Sequence, residues 1–416
     1  MPMNLNSDLL QSLHQRALAI FDDLCQIRRH LHQFPELSGD EANTTAFLLN
    51  HLQGLGLKFK INFDGHGFIA DLISDPHKDT VALRVDIDAL PIQELNEVPY
   101  RSQIPGVMHA CGHDVHSAIG VGVARVLAEL KETLPLNIRI IFQPEEEEIS
   151  GALSMIRDGA LKNPVPKAIW GVHVAPIQSG KIAWTNGLFL SGFEHYLGVL
   201  SPKGDNTLPG ALLEQVAHEC CNAILALNRW YLPETWGEMH AFWQTIQNAP
   251  PELQHFIVYD ASVNTEDPEL WQGQFGLGIK AATPARYADA MVAIRHQLDH
   301  VCEGMNLDYR ILPMGSMGDV RNNSTLMKTA LPTLKNAIGE GNTIKLNAAF
   351  PFNCEDFFYY TKYIPGAMVW LGGADPSSGK YAMLHTPNFD VDENCLLTGT
   401  LAMASLLLGT SNFSSE

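Results

Sequence analysis

The chain has 416 residues, a formal net charge of -19 at pH 7 and 46% hydrophobic residues, the make-up of a globular protein long enough for two domains with a core in each. So large a negative charge repels nucleic acid and anionic membrane surfaces and excludes both as partners, and no apolar stretch approaches a membrane span. Seven cysteines without paired spacing argue for free thiols in a reducing compartment, and segment 1–24 lacks the basic-then-apolar pattern of a signal peptide, so a cytoplasmic location is expected.

Residues 8–33 and 41–53 carry helical periodicity, with Leu9, Leu10, Leu13, Ala17, Ile20, Phe21 and Leu24 spaced by three or four. In the first helix, Arg28, Arg29, His30 and His32 are expected on the exposed face. Strands are expected at 68–73, 81–85, 138–142 and 168–174, with a helix at 116–130 whose Ile119, Val123, Val126, Leu127 and Leu130 form one stripe. Strands alternating with helices predict an α/β layer with a largely parallel sheet. Near Leu190 the character changes: residues 190–306 are rich in aromatics and polar turns and hold their own helices at 212–227 and 284–304. The earlier character returns after Tyr309, with a strand at 367–371 and an apolar helix at 395–408. The expected organisation is a catalytic domain in two parts, 1–189 and 307–416, interrupted by an inserted domain at 190–306.

The chemistry concentrates in His109-Ala-Cys111-Gly-His113-Asp114-Val-His116, which sets a thiol and three imidazoles beside a carboxylate. These groups hold divalent transition metals. A lone cysteine or histidine is usually a satisfied core residue, but that reading has to account for a whole cluster here. A second rival, Cys111 as a nucleophile with His113 or His116 as base, needs neighbours in the chain to align as a catalytic pair and leaves the acidic run Glu145 to Glu148 without a task. That run follows the apolar strand at 138–142, where open α/β sheets place their sites. One glutamate there can ligate a metal while its neighbour accepts a proton, the division of labour that metal-assisted hydrolysis requires. His173 and His385 end two further apolar runs, and Asp86, closing the strand at 81–85, is placed to orient a ligand histidine; Asp88 serves equally well as a cap.

The segments Arg28-Arg-His-Leu-His-Gln-Phe-Pro-Glu36, Val81 to Ile92, Met108 to His116, Phe142 to Glu147 with Gly151-Ala152, Gly171-Val-His173, Cys354-Glu-Asp-Phe357 and Leu384 to Asp390 occur in the order found in the metal-dependent amidohydrolases of the aminoacylase and carboxypeptidase superfamily. Within it, the chain most resembles the branch of hippurate hydrolases, N-acyl-L-amino acid amidohydrolases and plant auxin-conjugate hydrolases. The resemblance implies a zinc-peptidase-like α/β catalytic domain with a central, mostly parallel mixed sheet, interrupted by a smaller α/β satellite domain. It implies two divalent ions on Cys111, His113, Glu147, His173 and His385, with Cys111 bridging, Glu146 as general base and acid, and Asp86 steadying the histidine ligand. A thiolate favours zinc, while a carboxylate-rich pair of sites also takes manganese, cobalt or nickel. Satellite domains of the family pair, so a homodimer or higher homo-oligomer is implied, although residues 190–306 show no clear edge strand or apolar patch.

The likeness weakens in the middle. Where this branch carries Gly-Lys-Gly-Gly-His, with a histidine that helps polarise the scissile carbonyl, the chain reads Pro202-Lys203-Gly204-Asp205-Asn206. Asn206 can donate a hydrogen bond to an oxyanion but carries no charge. For the family's substrate-facing asparagine the nearest candidate is Asn264. Trp230, Trp236 and Trp243 have no counterpart, and each is expected either in the satellite core or, less commonly, lining an acyl pocket. The activity implied is hydrolysis of the amide bond of an N-acyl amino acid or related conjugate. The alternatives are a carboxypeptidase or dipeptidase and a metal-loaded binding protein for acylated amino acids.

Overall fold

A computed structural model describes residues 7–62, 64–204, 208–263 and 273–414. Helices α1 (Ser7–Ala19), α2 (Phe21–Gln33) and α3 (Ala42–Leu52) precede strands β1 (Lys58–Ile61), β2 (Phe68–Leu72) and β3 (Thr80–Asp86). Then follow α4 (His113–Ala128), β4 (Asn137–Gln143), α5 (Gly151–Arg157), β5 (Pro166–Gln178), β6 (Ile182–Thr185) and β7 (Gly187–Leu190). The next stretch supplies β8 (Gly192–Pro202), α6 (Gly210–Leu225), α7 (Trp236–Asn248), α8 (Pro251–Gln254), β9 (Ile257–Ser262), β10 (Gln274–Ala281), α9 (Pro284–Gly304) and β11 (Leu307–Met317). The chain closes with β12 (Val320–Asn322), α10 (Ser324–Ile338), β13 (Thr343–Leu346), α11 (Phe358–Thr361), β14 (Gly366–Ala374) and α12 (Asn394–Gly409).

Eight strands form one mixed sheet in the order β1-β2-β4-β3-β5-β14-β6-β13. Its centre, β4-β3-β5-β14, is parallel, and every residue of β3, β4 and β14 is buried, as expected of strands covered on both faces. Side chains alternate with the pleat: Leu83 and Val85 join the core under α4 and α12, and Ala82 joins the core on the other face. Helix α12 is apolar all round. By length and composition the stretch Asn394–Asn412 passes as a membrane span, contrary to the sequence expectation, yet 78% of its 18-residue apolar window is buried inside the protein as a core helix.

The helix expected over 8–33 is broken at Ile20, which takes φ -106° and ψ 3°. Arg28 and His32 do not lie on an exposed face: both are fully buried, because they neutralise and bond buried carboxylates from other segments. A second sheet, antiparallel in the order β11-β8-β10-β9, packs with α6 and α9 around its own core of residues such as Val216, Phe275, Leu277 and Ile294. It includes β11, so this unit runs past residue 306 to Met317. β11 is also an edge strand, with Leu312 and Met314 exposed.

Helix α7 belongs in sequence to the inserted stretch but packs on the large sheet. Its start is fixed by a capping box between Thr235 and Glu238, and its buried stripe is Met239, Trp243 and Ile246. Trp243 stacks on Phe350 at 5.3 Å between ring centroids and meets Trp370 edge-on at 5.9 Å. Trp370 in turn presents its ring to the edge of His173 at 5.5 Å. Trp243 is therefore core of the large-sheet unit rather than of the inserted one. Trp243→Ala is expected to cost about 3–5 kcal/mol, read as a lower urea midpoint in the transition that unfolds the large sheet; a loss under about 1 kcal/mol would mean that this helix is not docked there.

Candidate metal centre

Adjacent parallel strands deliver the first groups to one place. Asp86 closes β3 in register with Gln143, which closes β4, and His173 lies on neighbouring β5. Cys111 and His113 straddle Gly112 at the start of α4. Gly112 takes φ +82°, and a Cβ there would stand 2.3 Å from Val174 Cγ1, so only glycine lets the chain turn this tightly between the two donors. Glu145 to Glu148 follow β4, and His385 is tied in by its N–H, which donates to Ala110 O at 2.9 Å.

The five donors converge. Cys111 Sγ is 3.4 Å from His173 Nε2 and 3.2 Å from His385 Nε2. Glu147 Oε1 is 3.6 Å from His385 Nε2 and 3.8 Å from His113 Nε2. Cys111, His113 and His173 form one group whose donor atoms lie within 4.8 Å of one another, and Cys111, Glu147 and His385 form a second. The thiol is common to both.

Hydrogen bonds on the far side of each ring set the lone pairs. His173 Nδ1 donates to Val174 O at 2.8 Å, and His113 Nδ1 donates to both the carbonyl and the Oδ1 of Asp88 at 3.0 Å. In the neutral ring each Nε2 is thereby the acceptor and faces inward, the arrangement of a ligating histidine. Asp86 serves a different ring: it accepts from His116 Nδ1 at 2.5 Å, and His116 Nε2 accepts the Val174 N–H at 2.8 Å. His116 is thus fully bonded and stands outside the converging set, while Asp88 is the carboxylate hydrogen-bonded to His113.

The residues fit divalent ions. His113 Nε2 and Glu147 Oε1 are buried without a hydrogen-bond partner, a costly state for polar atoms unless a ligand takes them up. The field is strongly negative. Burial opposes charge on His113, yet Asp86 and Asp88 outweigh it and push its pKa up to about 10. The Cys111 thiol is driven well above its usual range by burial, then by Glu147 and Glu146. That is the reverse of an activated nucleophile, and it suits a sulfur that ionises only against a cation. Glu146 is likewise raised well above a carboxylate's usual range, by burial and then by Glu355 and Glu147.

A buried scaffold backs the site. Arg84 forms an ion pair with Asp86 and reaches Glu355 Oε1 and Asp356 Oδ1, both at 2.9 Å. Arg28 Nε meets Asp114 Oδ2 at 2.7 Å, and Arg28 Nη2 donates to Asp390 Oδ1 at 3.0 Å, joining α2 to the start of α4 and to the segment after His385. His32 is wedged between Asp114 and Glu94. Glu145, Ile149 and His385 have φ of 53°, 59° and 60°, left-handed values that residues other than glycine adopt at a cost.

Residues 82–409 match the model of Peptidase family M20/M25/M40. The chain belongs to that family. As an M20 chain it is a hydrolase of the amidohydrolase and peptidase type. It is 31% identical over 391 residues to IAA-amino acid hydrolase ILR1-like 2 of Arabidopsis thaliana, covering 93% of this chain and 85% of that protein. It is 29% identical over 393 residues to N-acetyl-L-cysteine deacetylase of Bacillus subtilis, covering 90% and 85%. The solved structure of the YXEP protein of Bacillus subtilis, titled a dinuclear metal binding peptidase from the M20 family, superposes with a TM-score of 0.68 at 25% identity, over 94% of this chain and 98% of that one.

Of the site residues expected from sequence, the M20 fold brings Cys111, His113, Glu146, Glu147, His173, His385 and Asp86 together; Asn206 and Asn264 lie outside the described residues. Sequence reading missed the contact of Asp88 with His113, the joining role of Arg84, and Lys280. This lysine sits on β10 of the second sheet with Nζ 5.4 Å from the Phe193 ring; burial, then the charge of His113 and then that of Lys280, hold the His385 pKa down at about 4. Nothing in its neighbourhood in the chain signals that, because it arrives from the other sheet. Stripping the protein with a chelator is expected to lower its Tm, and adding back zinc or manganese to restore it, since an ion at 100 times its Kd stabilises the native state by about 2.7 kcal/mol. An unchanged melting curve would argue against the metal centre.

Proposed function

We propose that this M20 chain hydrolyses the amide bond of N-acyl amino acids or related amino-acid conjugates. Cys111, His113, Glu147, His173 and His385 would hold two divalent ions, with Cys111 shared between them, and bound ions would supply Lewis-acid polarisation and water activation. The observation that carries this reading is Glu146, a buried carboxylate raised in proton affinity and 3.9 Å from His113 Nε2, with no role in core packing.

Glu146 takes the proton of the attacking water and later delivers it to the leaving nitrogen, so a carboxylic acid and a free amine are released. Its raised proton affinity suits both halves of that exchange. Asp88 holds the tautomer of His113, and Asp86 holds His116 against the Val174 peptide. Lys280 carries the positive charge that meets the substrate's carboxylate, which every N-acyl amino acid possesses and a simple amide lacks. The names of the relatives support the substrate class, since they refer to an amino-acid conjugate and an N-acetyl amino acid.

Glu146→Gln is expected to lower kcat about 10²–10⁴-fold with metal content unchanged by elemental analysis; turnover within a few-fold of the parent would remove Glu146 from the role of base. Lys280→Ala is expected to raise KM about tenfold or more for N-acetyl amino acids and to leave the amidated analogues unaffected. Equal loss on both substrate sets would show that Lys280 does not read the carboxylate.

A further inference from the structure

The turn that carries Glu146 and Glu147 is held from outside by two carboxylates. The N–H of Glu147 donates to Asp88 Oδ2 at 2.9 Å, and the N–H of Glu145 donates to Glu41 Oε1 at 2.8 Å. Glu146 sits between these two anchored peptides. Asp88 also bonds His113, so its place is part of the metal centre. Glu41 touches no donor atom of the centre and comes from the far end of the chain, at the turn into α3.

That turn is itself fixed. The Glu36 carboxylate accepts the Thr44 N–H at 2.8 Å and the Asn43 side-chain amide at 2.6 Å. Leu37 bridges to Ala89, and Ser38 Oγ donates to Asp88 Oδ2 at 2.8 Å. Glu41 is fully buried. Its second oxygen faces His66 Nδ1 at 3.3 Å. Burial, with Asp88 adding to it, pushes the Glu41 pKa up to about 8, so the carboxylate is an expense to the fold. What it gains is the Glu145 N–H, at a residue whose φ of 53° is unfavourable for any side chain but glycine's. Without that acceptor the part-buried Glu145 N–H loses its partner at a residue with a strained φ, and any turn of that peptide that relieves the strain displaces the residues that follow it, Glu146 and Glu147.

We propose that Glu41 is a positioning residue: by accepting the Glu145 N–H it holds the turn in the geometry that aims Glu146 and Glu147 into the centre. The placing of Glu146 as base rests on the function proposed above; the placing of Glu147 beside His113 does not. Glu41→Gln keeps an acceptor oxygen in the same place, and Glu41→Met fills the volume without one.

The experiment compares the two variants with the parent after loading with cobalt(II), reading the visible absorption of the bound ion, kcat and KM on N-acetyl amino acids, and Tm. The expected result is that Glu41→Met alters the cobalt spectrum and lowers kcat about 10–100-fold with KM little changed, while Glu41→Gln restores both. An unchanged cobalt spectrum and kcat in Glu41→Met, or equal losses in the Met and Gln variants, would overturn the proposal. So would a fall in Tm with kcat per folded molecule unaltered. Should the parent cleave none of the substrates, the proposed function fails on its own, and the cobalt spectra still decide the role of Glu41.

Discussion

Buried like charge is the constraint on which the rest of this structure depends. Asp86, Asp88, Glu146, Glu355 and Asp356 are all buried, Glu147 stands beside them, and carboxylates so close together cannot all ionise without cations among them. Arg84 is the permanent cation. It is fixed between Asp86 on one side and Glu355 and Asp356 on the other, which leaves the side of the pocket lined by Cys111, His113, Glu147, His173 and His385 short of positive charge. The same field that would put a proton on His113 favours a divalent ion there. Affinity for a metal there would be a property of the whole pocket rather than of the five candidate donors alone.

Holding that pocket open falls to a second layer. The loops that carry the candidate ligands hold left-handed backbone at Glu145, Ile149 and His385; Glu145 and His385 are pinned from other segments by Glu41 and Ala110, and Ile149 bonds within its own turn to Glu146 O. Arg28 ties the start of α4 to Asp390, whose other oxygen accepts from Tyr100 at 2.8 Å and pairs with Lys380 at 2.9 Å. Such a network costs desolvation and returns rigidity, and rigidity is what a site needs whose groups must meet within a few tenths of an ångström. Strain at the loops and rigidity behind them are two parts of one arrangement.

Much of this was legible in the chain itself. The strands β3, β4 and β5 contain apolar runs that are visible in the sequence, and Asp86 at the end of β3 and Glu145 to Glu148 just after β4 lie at the carboxyl ends where a parallel sheet puts its site. The candidate donors Cys111, Glu147, His173 and His385 come from the family resemblance of the segments around them, and the fold brings these side chains near one another. Less legible was everything that depends on a partner from elsewhere. Arg28 and His32 sit on a helix whose charged stretch reads as a solvated face, and only the approach of Asp114, Glu94 and Asp390 makes burial favourable. Helix α7 lies in the stretch between α6 and β9, and its Trp243 finds Phe350 and Trp370 a hundred residues and more away. The end of the second sheet at Met317 escaped notice because the alternation of Leu307, Tyr309 and Ile311 with Asp308 and Arg310 stops at Ile311, and the strand from Leu312 to Ser316 is exposed.

What the sequence by itself determined is the kind of chemistry: a thiol, imidazoles and paired carboxylates at turns after strands can serve little else than a metal centre, since the identity of a donor is fixed by its side chain. What only the tertiary structure decided is the role of each group. Whether a histidine ligates, as the inward Nε2 of His113 suggests, or props, as His116 does between Asp86 and Val174, depends on which ring nitrogen is already bonded. Whether a charge is solvated or buried depends on what a distant segment brings to it, as with Arg28 beside Asp114 and Asp390. Both are matters of a few ångströms between residues far apart in the chain, set by packing and by the balance of buried charge, and neither is written in local order.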